Sequence, residues 1–160
     1  MAKKEEKPTG ETVQLVNFRL RDEEFGVDIG SVREITKKGD ITHIPKAPAF
    51  IQGVTNLRGQ IIAVIDLAKQ FGLSSHERSS DSARIVVTEV NGQTVGMLVD
   101  EVPGVLNLLG ENIEATPELI QTKIKRDYIK GVGKVEKRLI VILDLGKVLA
   151  PQEVEEIKMI

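Results

Sequence analysis

The sequence Asn-Leu-Arg-Gly-Gln-Ile-Ile-Ala-Val-Ile-Asp-Leu at residues 56–67 places a polar turn ahead of five consecutive apolar residues and an aspartate. Three isoleucines and a valine make up most of the run from Ile61 to Ile65, and β-branched residues favour strands. Since the run lacks the alternation of a half-exposed strand, it predicts a strand that is buried on both faces. Asp66 is then predicted to cap one helical turn, which ends at Gly72.

The composition of the 160-residue chain excludes several classes of function. Its 22 Lys and Arg residues nearly balance its 24 Asp and Glu residues, so no net field attracts nucleic acid or an anionic membrane. Four Phe and one Tyr offer little surface for stacking bases, and the absence of Cys excludes disulfides and thiolate chemistry. No apolar run approaches the roughly 20 residues of a membrane span. We therefore predict a cytoplasmic protein that neither binds nucleic acid nor inserts into a membrane.

The second half of the chain repeats the first. Residues 50–69 align without gaps on residues 128–147, with seven identities in twenty positions. Residues 25–35 align in the same way on residues 95–105. The two blocks differ in offset by eight residues, which fall within residues 112–125, where a loop can absorb an insertion. The chain is therefore predicted to contain two equivalent lobes.

The repeat and the β-branched composition predict a mainly β fold built from short strands. Lobes of this size rarely bury enough apolar surface to be stable alone, so we expect them to pack on each other. A short helix is predicted from Gly30 to Ile35, because Val32 and Ile35 share one helical face. The predicted organisation is a disordered tail at 1–11, a first lobe at 12–73, a serine-rich connector at 74–82, a second lobe at 83–149 and a C-terminal helix at 150–160.

The sequence contains no arrangement of residues that supports catalysis. Its two histidines, His43 and His76, are far apart and have no Cys to complete a metal site. Asp66 and Asp144 could form a carboxylate pair for acid–base chemistry, but they occupy equivalent positions of the repeat, each ahead of a helical turn. Two helix caps are the better interpretation. We predict a chain without enzymatic activity, cofactor or metal.

The turn ahead of the apolar strand differs between the two copies of the repeat. Residues 56–59 correspond to residues 134–137, and only the apolar second position is kept, while the charge reverses from Arg58 to Glu136. The apolar run and its terminal aspartate recur in both copies. A residue type that only the fold requires should recur, so the divergence predicts a specific function for the first turn. The alternative is that hairpin tips drift freely.

Residues 48–67, Pro-Ala-Phe-Ile-Gln-Gly-Val-Thr-Asn-Leu-Arg-Gly-Gln-Ile-Ile-Ala-Val-Ile-Asp-Leu, closely resemble the signature PxFIxGVxNLRGxIxPVIDL of the bacterial chemotaxis coupling protein family CheW. The resemblance continues through residues 25–35 and 95–106, and it extends over most of the chain, from Thr12 to Leu149. The twenty-residue signature is highly specific. The chain departs from it at Ala63, where the family commonly has Pro, and this departure affects no binding position.

The resemblance implies two SH3-like five-stranded β-barrel lobes in a pseudo-twofold repeat, with short helices and a C-terminal helix. It also implies a non-catalytic adaptor that couples methyl-accepting chemoreceptors to the histidine kinase CheA, by contact with the kinase's regulatory domain, in membrane-associated signalling arrays. By position, the residues that match receptor-binding positions of the family are Asn56, Arg58, Gly59 and Val105. Those that match its kinase-binding region are Val27, Ile29, Val32, Glu34 and Ile35.

The kinase-binding region contains four apolar residues whose partners in the repeat are also apolar, so we expect no more than half of the four to be exposed. Two other interpretations remain open. An SH3-like module that binds nucleic acid or a small molecule would need a basic or aromatic-lined face, which the composition does not favour. A detached coupling domain of a CheV-like protein or of CheA would share the fold, but the chain carries no receiver or kinase motif.

Overall fold

The computed structural model of the protein describes residues 11–73, 81–114 and 126–159. The tail predicted at 1–11, the connector predicted at 74–82 and the insertion expected within 112–125 lie almost wholly outside these residues. The described part of the chain is mainly β, as predicted. Its strands are β1 Thr12–Leu20, β2 Glu23–Asp28, β3 Val32–Lys37, β4 Ile51–Leu57, β5 Gln60–Asp66, β6 Arg84–Val90, β7 Gln93–Val99, β8 Glu101–Leu109, β9 Ile113–Glu114, β10 Ile129–Val135 and β11 Arg138–Leu143.

Short helices complete the fold, and their local chemistry follows from the sequence. The helix α1 is Leu67–Gln70, and the Asp66 side chain caps it by accepting hydrogen bonds from the backbone N–H groups of Ala68 and Lys69. Asp144 accepts one from the backbone N–H of Gly146 at the equivalent 3-10 turn, Leu145–Lys147, so the prediction of two caps is confirmed. The C-terminal helix, also as predicted, is α2, Pro151–Lys158. The further 3-10 turns are Ile29–Ser31, Gly110–Asn112 and Arg126–Tyr128.

The strands form two sheets, with the orders β8-β1-β2-β11-β10-β9 and β3-β6-β7-β5-β4. Each sheet takes strands from both halves of the chain. The prediction that residues 12–73 and residues 83–149 each form one lobe is therefore wrong. An internal repeat identifies equivalent positions, whereas strand pairing depends on which hairpins cover each other's edges, and here the hairpins of one half pair with those of the other.

The register of the strands confirms the repeat itself. Each sheet contains one parallel pair, β2 with β11 in the first and β7 with β5 in the second. Phe25 lies opposite Val141 in one pair, and their repeat partners Val95 and Ala63 lie opposite each other in the other. The two sheets, each of which forms one lobe, are therefore related by a pseudo-twofold axis, as the two-lobed resemblance implies.

Three apolar clusters hold the sheets together. The largest draws on both sheets and on α1 and α2, and it includes the stacked rings of Phe18 and Phe25, whose centroids are 5.8 Å apart. Burial of each such ring contributes about 1.5–3 kcal/mol. Each sheet also covers a smaller cluster of its own, around Ile85 under the second sheet and around Leu15 under the first. The large central core joins the two lobes into one unit.

Two local predictions are wrong, both because of neighbouring strands. The helix expected from Gly30 to Ile35 is replaced by the 3-10 turn and β3, whose residues pair with β6. The strand after the signature turn is buried from Ile62 onward, but Ile61 is 61% exposed. The strand β7 pairs with β5 only from Ala63, so Ile61 has a neighbouring strand on one side alone, where it pairs with Asn56 on β4.

Candidate partner-binding site

The turn that carries three of the predicted receptor-binding residues joins β4 to β5. Leu57 and Gln60 form its closing pair, and the central residues Arg58 and Gly59 have φ angles of 53° and 85°. Positive values at both positions define a type I′ turn, whose twist matches that of the strands. Asn56 Oδ1 accepts a hydrogen bond of 2.9 Å from the backbone N–H of Gly59. Asn56 and Gly59 therefore set the shape of the turn, and Arg58 supplies its charge.

Arg58 occupies a backbone conformation that favours other residue types. The turn between β6 and β7 has the same conformation with Asn91 at φ 49° and Gly92 at φ 84°, the pair that this turn prefers. An ordinary residue in the left-handed region costs about 1–2 kcal/mol relative to glycine. The Arg58 side chain is 79% exposed, so packing in the core does not compensate for this cost.

A second arginine with a left-handed backbone conformation, Arg21, has a structural role with which Arg58 can be compared. Arg21, between β1 and β2, has φ 59°, and both its backbone N–H and its guanidinium bind the carboxylate of Asp100, the former at 2.7 Å. Both side chains are largely buried, at 9% and 13% exposure. Arg58 lacks such burial, so no comparable structural contact holds its side chain.

The Arg58 guanidinium contacts the strand that carries the predicted kinase-binding residues. Its Nε lies 3.3 Å from Oε2 of Glu34 on β3, and a terminal nitrogen lies 3.3 Å from Oε1. An exposed pair of this kind contributes only about 0–1 kcal/mol to stability. The guanidinium can therefore turn to a carboxylate of a partner at little cost, and the contact brings the two predicted surfaces together.

The apolar residues of the predicted kinase-binding region divide into two groups. Ile29 and Ile35 are each 39% exposed, while Val32 is half-buried against the central core. Val27 is fully buried, because it lies in the interior strand β2 between Val16 on β1 and Leu143 on β11. Val27 is thus wrong as a direct contact, and the expectation that no more than half of the four are exposed is confirmed.

Val105 lies apart from the other predicted receptor-binding residues. It is 49% exposed on β8, the edge strand of the first sheet, whereas Arg58 belongs to the second sheet. In the repeat Val105 corresponds to Ile35 on the edge strand β3, so each sheet presents an exposed apolar residue at the same place. The structure thus contains two equivalent surfaces, and the turn with Arg58 adjoins the one on β3.

Sequence reasoning missed one pair of exposed apolar residues. Ile61 follows the turn with Arg58, and its repeat partner Leu139, at 56% exposure, follows the equivalent turn between β10 and β11. The sequence signal for their exposure is their position next to a hairpin tip, because a strand often extends beyond its neighbouring strands there. The presence of an apolar residue at this position in both copies of the repeat indicated burial, but both Ile61 and Leu139 are exposed.

The described residues offer little for other kinds of chemistry. No group of three or more His, Asp or Glu side chains among them could hold a metal ion. Every aromatic residue of the chain lies in the described part, and each is buried or half-buried, which leaves little ring surface for stacking a base. Among the described helices, none is long and apolar enough to cross a membrane.

Comparison with known proteins gives a consistent result. The chain matches the CheW-like domain family over residues 14–153. A probable chemotaxis protein CheW of Rhizobium etli is 37% identical over 142 residues, which cover 89% of this chain and 90% of that protein. The chemotaxis protein CheW of Klebsiella aerogenes is 36% identical over 92% of this chain and 89% of its own length. The crystal structure of the scaffolding protein TtCheW from Thermoanaerobacter tengcongensis superposes with a TM-score of 0.78 at 38% identity, covering 86% of this chain and 92% of that chain.

Proposed function

The chain belongs to the CheW-like domain family of chemotaxis proteins, and from that premise we propose that it is a non-catalytic cytoplasmic adaptor. It couples methyl-accepting chemoreceptors to the histidine kinase CheA and is recruited with them to membrane-associated arrays. It does so by holding both partners in one assembly, without chemistry of its own. The observation that carries the proposal is Arg58, an exposed cation held in a strained turn.

The receptor surface in this proposal is centred on the turn between β4 and β5. Asn56 and Gly59 hold the turn in shape, and Arg58 offers a planar guanidinium that can bind a receptor carboxylate through two hydrogen bonds. Val105 adds an apolar contact from the edge of the other sheet. A receptor that reaches both would span the two lobes.

The kinase surface is the outer side of β3 and the 3-10 turn before it. Ile29 and Ile35 supply exposed apolar area, Val32 supports them from the core, and Glu34 supplies a charged rim. An apolar centre with a charged rim is the usual composition of a protein interface. Because Glu34 also binds Arg58, a change of partner at one surface alters the charge that the other presents. The two surfaces are thereby coupled in the adaptor itself.

The test of this proposal is a charge reversal with a matched control. Arg58→Glu is expected to weaken co-sedimentation with receptor-containing membranes by at least about tenfold in affinity, or ~1.4 kcal/mol. Glu136→Lys reverses the charge at the equivalent exposed position of the repeat, where φ is 57°, and should bind like the wild type. Far-UV circular dichroism would verify that both variants fold.

Arg58→Ala completes the design, because glutamate at position 58 would also repel Glu34. The alanine variant removes the guanidinium without adding that repulsion and should show most of the loss. Stimulation of CheA autophosphorylation in the presence of receptor membranes should fall in parallel. Wild-type binding by a folded Arg58→Glu variant, or an equal loss in Glu136→Lys, would contradict the proposal.

A further inference from the structure

We infer that two copies of this chain can exchange halves and form a dimer in which each lobe contains strands of both copies. The first half is residues 11–73 and the second half is residues 81–159. This inference is independent of the proposed function. It rests on the way in which the two halves share their sheets.

Apart from the four hairpins and the short pairing of β9 with β10, every strand pairing in the described sheets joins one half to the other. The four pairings are β1 with β8, β2 with β11, β3 with β6 and β5 with β7. The pairings within a half are the hairpins themselves and the short β9 with β10. An isolated two-stranded hairpin is at best marginally stable in water. Each half therefore depends on the other for its sheets.

Three polar or aromatic contacts also join the halves. The buried ion pair of Arg21 with Asp100 links β1–β2 to β7–β8. The rings of Phe71 and Tyr128 stack with centroids 5.5 Å apart, again across the halves. Gln70 donates a hydrogen bond of 3.0 Å to the carbonyl of Val148. The interface between halves is thus as specific as the interior of the fold.

Exchange leaves these contacts unchanged, since the second half of one copy can replace the second half of another. The balance between monomer and exchanged dimer then depends mainly on the effective concentration of the two halves within one chain. For segments joined by a short link this concentration is in the mM range. The monomer should dominate at micromolar concentration, and the exchanged dimer should become comparable near mM concentration. Once formed, the dimer should persist on dilution, because all four pairings must open before the halves can separate.

The absence of Cys from the chain allows a direct trap of the exchange. Gln14 on β1 and Asn107 on β8 lie directly opposite each other, are both exposed, and belong to different halves. Opposed residues of antiparallel strands have Cα atoms about 4.5–5.5 Å apart, which suits a disulfide. In a Gln14→Cys, Asn107→Cys variant the disulfide closes within one chain in the monomer and between two chains in the exchanged dimer.

The matched control carries its cysteines within one half. Lys134 on β10 and Leu139 on β11 are also opposed and exposed, and both belong to the second half. A Lys134→Cys, Leu139→Cys variant forms its disulfide within one chain in either state. Both full-length variants would be unfolded under reducing conditions, refolded at about 10 µM and at about 1 mM, then oxidised and separated on a non-reducing denaturing gel.

The expected result is a covalent dimer only in the variant that links the halves, minor at the lower concentration and at least a third of the chains at the higher. Wild-type protein refolded at the higher concentration should contain a species of doubled mass by light scattering, which persists for hours after dilution. Covalent dimer in equal amounts in the control would indicate random oxidation. That outcome, or monomer alone at both concentrations for the variants and the wild type, would overturn the inference.

Discussion

Replacement of Asn17 by valine is expected to stabilise the protein. Asn17 lies on β1, is 2% exposed, and faces the small core under the first sheet. Among the described residues nothing donates a hydrogen bond to its Oδ1 atom. Asn17 pairs with Gly26, and Val87 pairs with Gly96, the repeat partner of Gly26. Asn17 therefore corresponds to Val87, which is buried in the equivalent core under the second sheet. The fold therefore accepts a valine at this position in its other copy.

The magnitude follows from the cost of the unpaired oxygen. A buried polar atom without a partner costs about 1–3 kcal/mol, and Asn17→Val removes it with little change of volume. Valine also has the higher strand propensity, on a scale that spans about 1 kcal/mol. We expect the free energy of unfolding to rise by about 1–3 kcal/mol. For a chain of this length each kcal/mol raises the melting temperature by about 2–4 °C.

Urea unfolding of the wild type and Asn17→Val would measure this effect. The midpoint should move to higher urea at an unchanged slope, since the surface exposed on unfolding is nearly the same. The matched control is Val87→Asn, which places the amide in the other small core and should destabilise by a similar amount. An unchanged or lowered midpoint for Asn17→Val would show that the amide has a partner, such as a buried water, and would refute the reasoning.

Three further substitutions test the caps and the turn. Asp66→Ala is expected to cost about 1–2 kcal/mol of stability in urea unfolding, and Asp144→Ala less, because Asp66 is buried and caps two N–H groups while Asp144 caps one. Equal losses would contradict this ranking. Arg58→Asn is expected to raise stability by up to about 1 kcal/mol, because asparagine tolerates the left-handed region, and yet to weaken receptor co-sedimentation. A variant that lost both stability and binding would instead indicate a structural role for the arginine.

The sequence predicts those features of the fold that are decided locally or by equivalence. Asp66 and Asp144 are caps because a carboxylate ahead of a helical turn meets the free N–H groups of that turn. The repeat predicts that Phe25 and Val95 occupy matching places, and the strand registers agree. Both inferences need only neighbours along the chain or a comparison of the chain with itself.

The features that sequence reasoning missed depend on contacts between distant strands. Val27 and Ile35 are both apolar members of one segment, but only Val27 is enclosed, by β1 and β11. Ile61 belongs to an apolar run whose other members are buried, and it is exposed because β7 begins to pair with β5 two residues later. The combination of strands from both halves in each sheet has the same origin. A periodic pattern records which residues are apolar, and the sheet order decides which of them are covered.

The four tight hairpin turns show which backbone conformation the fold requires and which side chains it accepts there. Each has its first central residue in the left-handed region, and these residues are Arg21, Arg58, Asn91 and Glu136. The fold therefore demands a conformation at this position and accepts different side chains in it. Arg21 is held by Asp100 in a nearly buried pair, and Asn91 is the residue that the turn itself prefers. Arg58 and Glu136 have neither explanation, since the ion pair of Arg58 with Glu34 is exposed and weak and the Glu136 side chain is exposed. The backbone cost is thus common to both turns, and what distinguishes them is the charge, which the comparison of Arg58→Glu with Glu136→Lys tests.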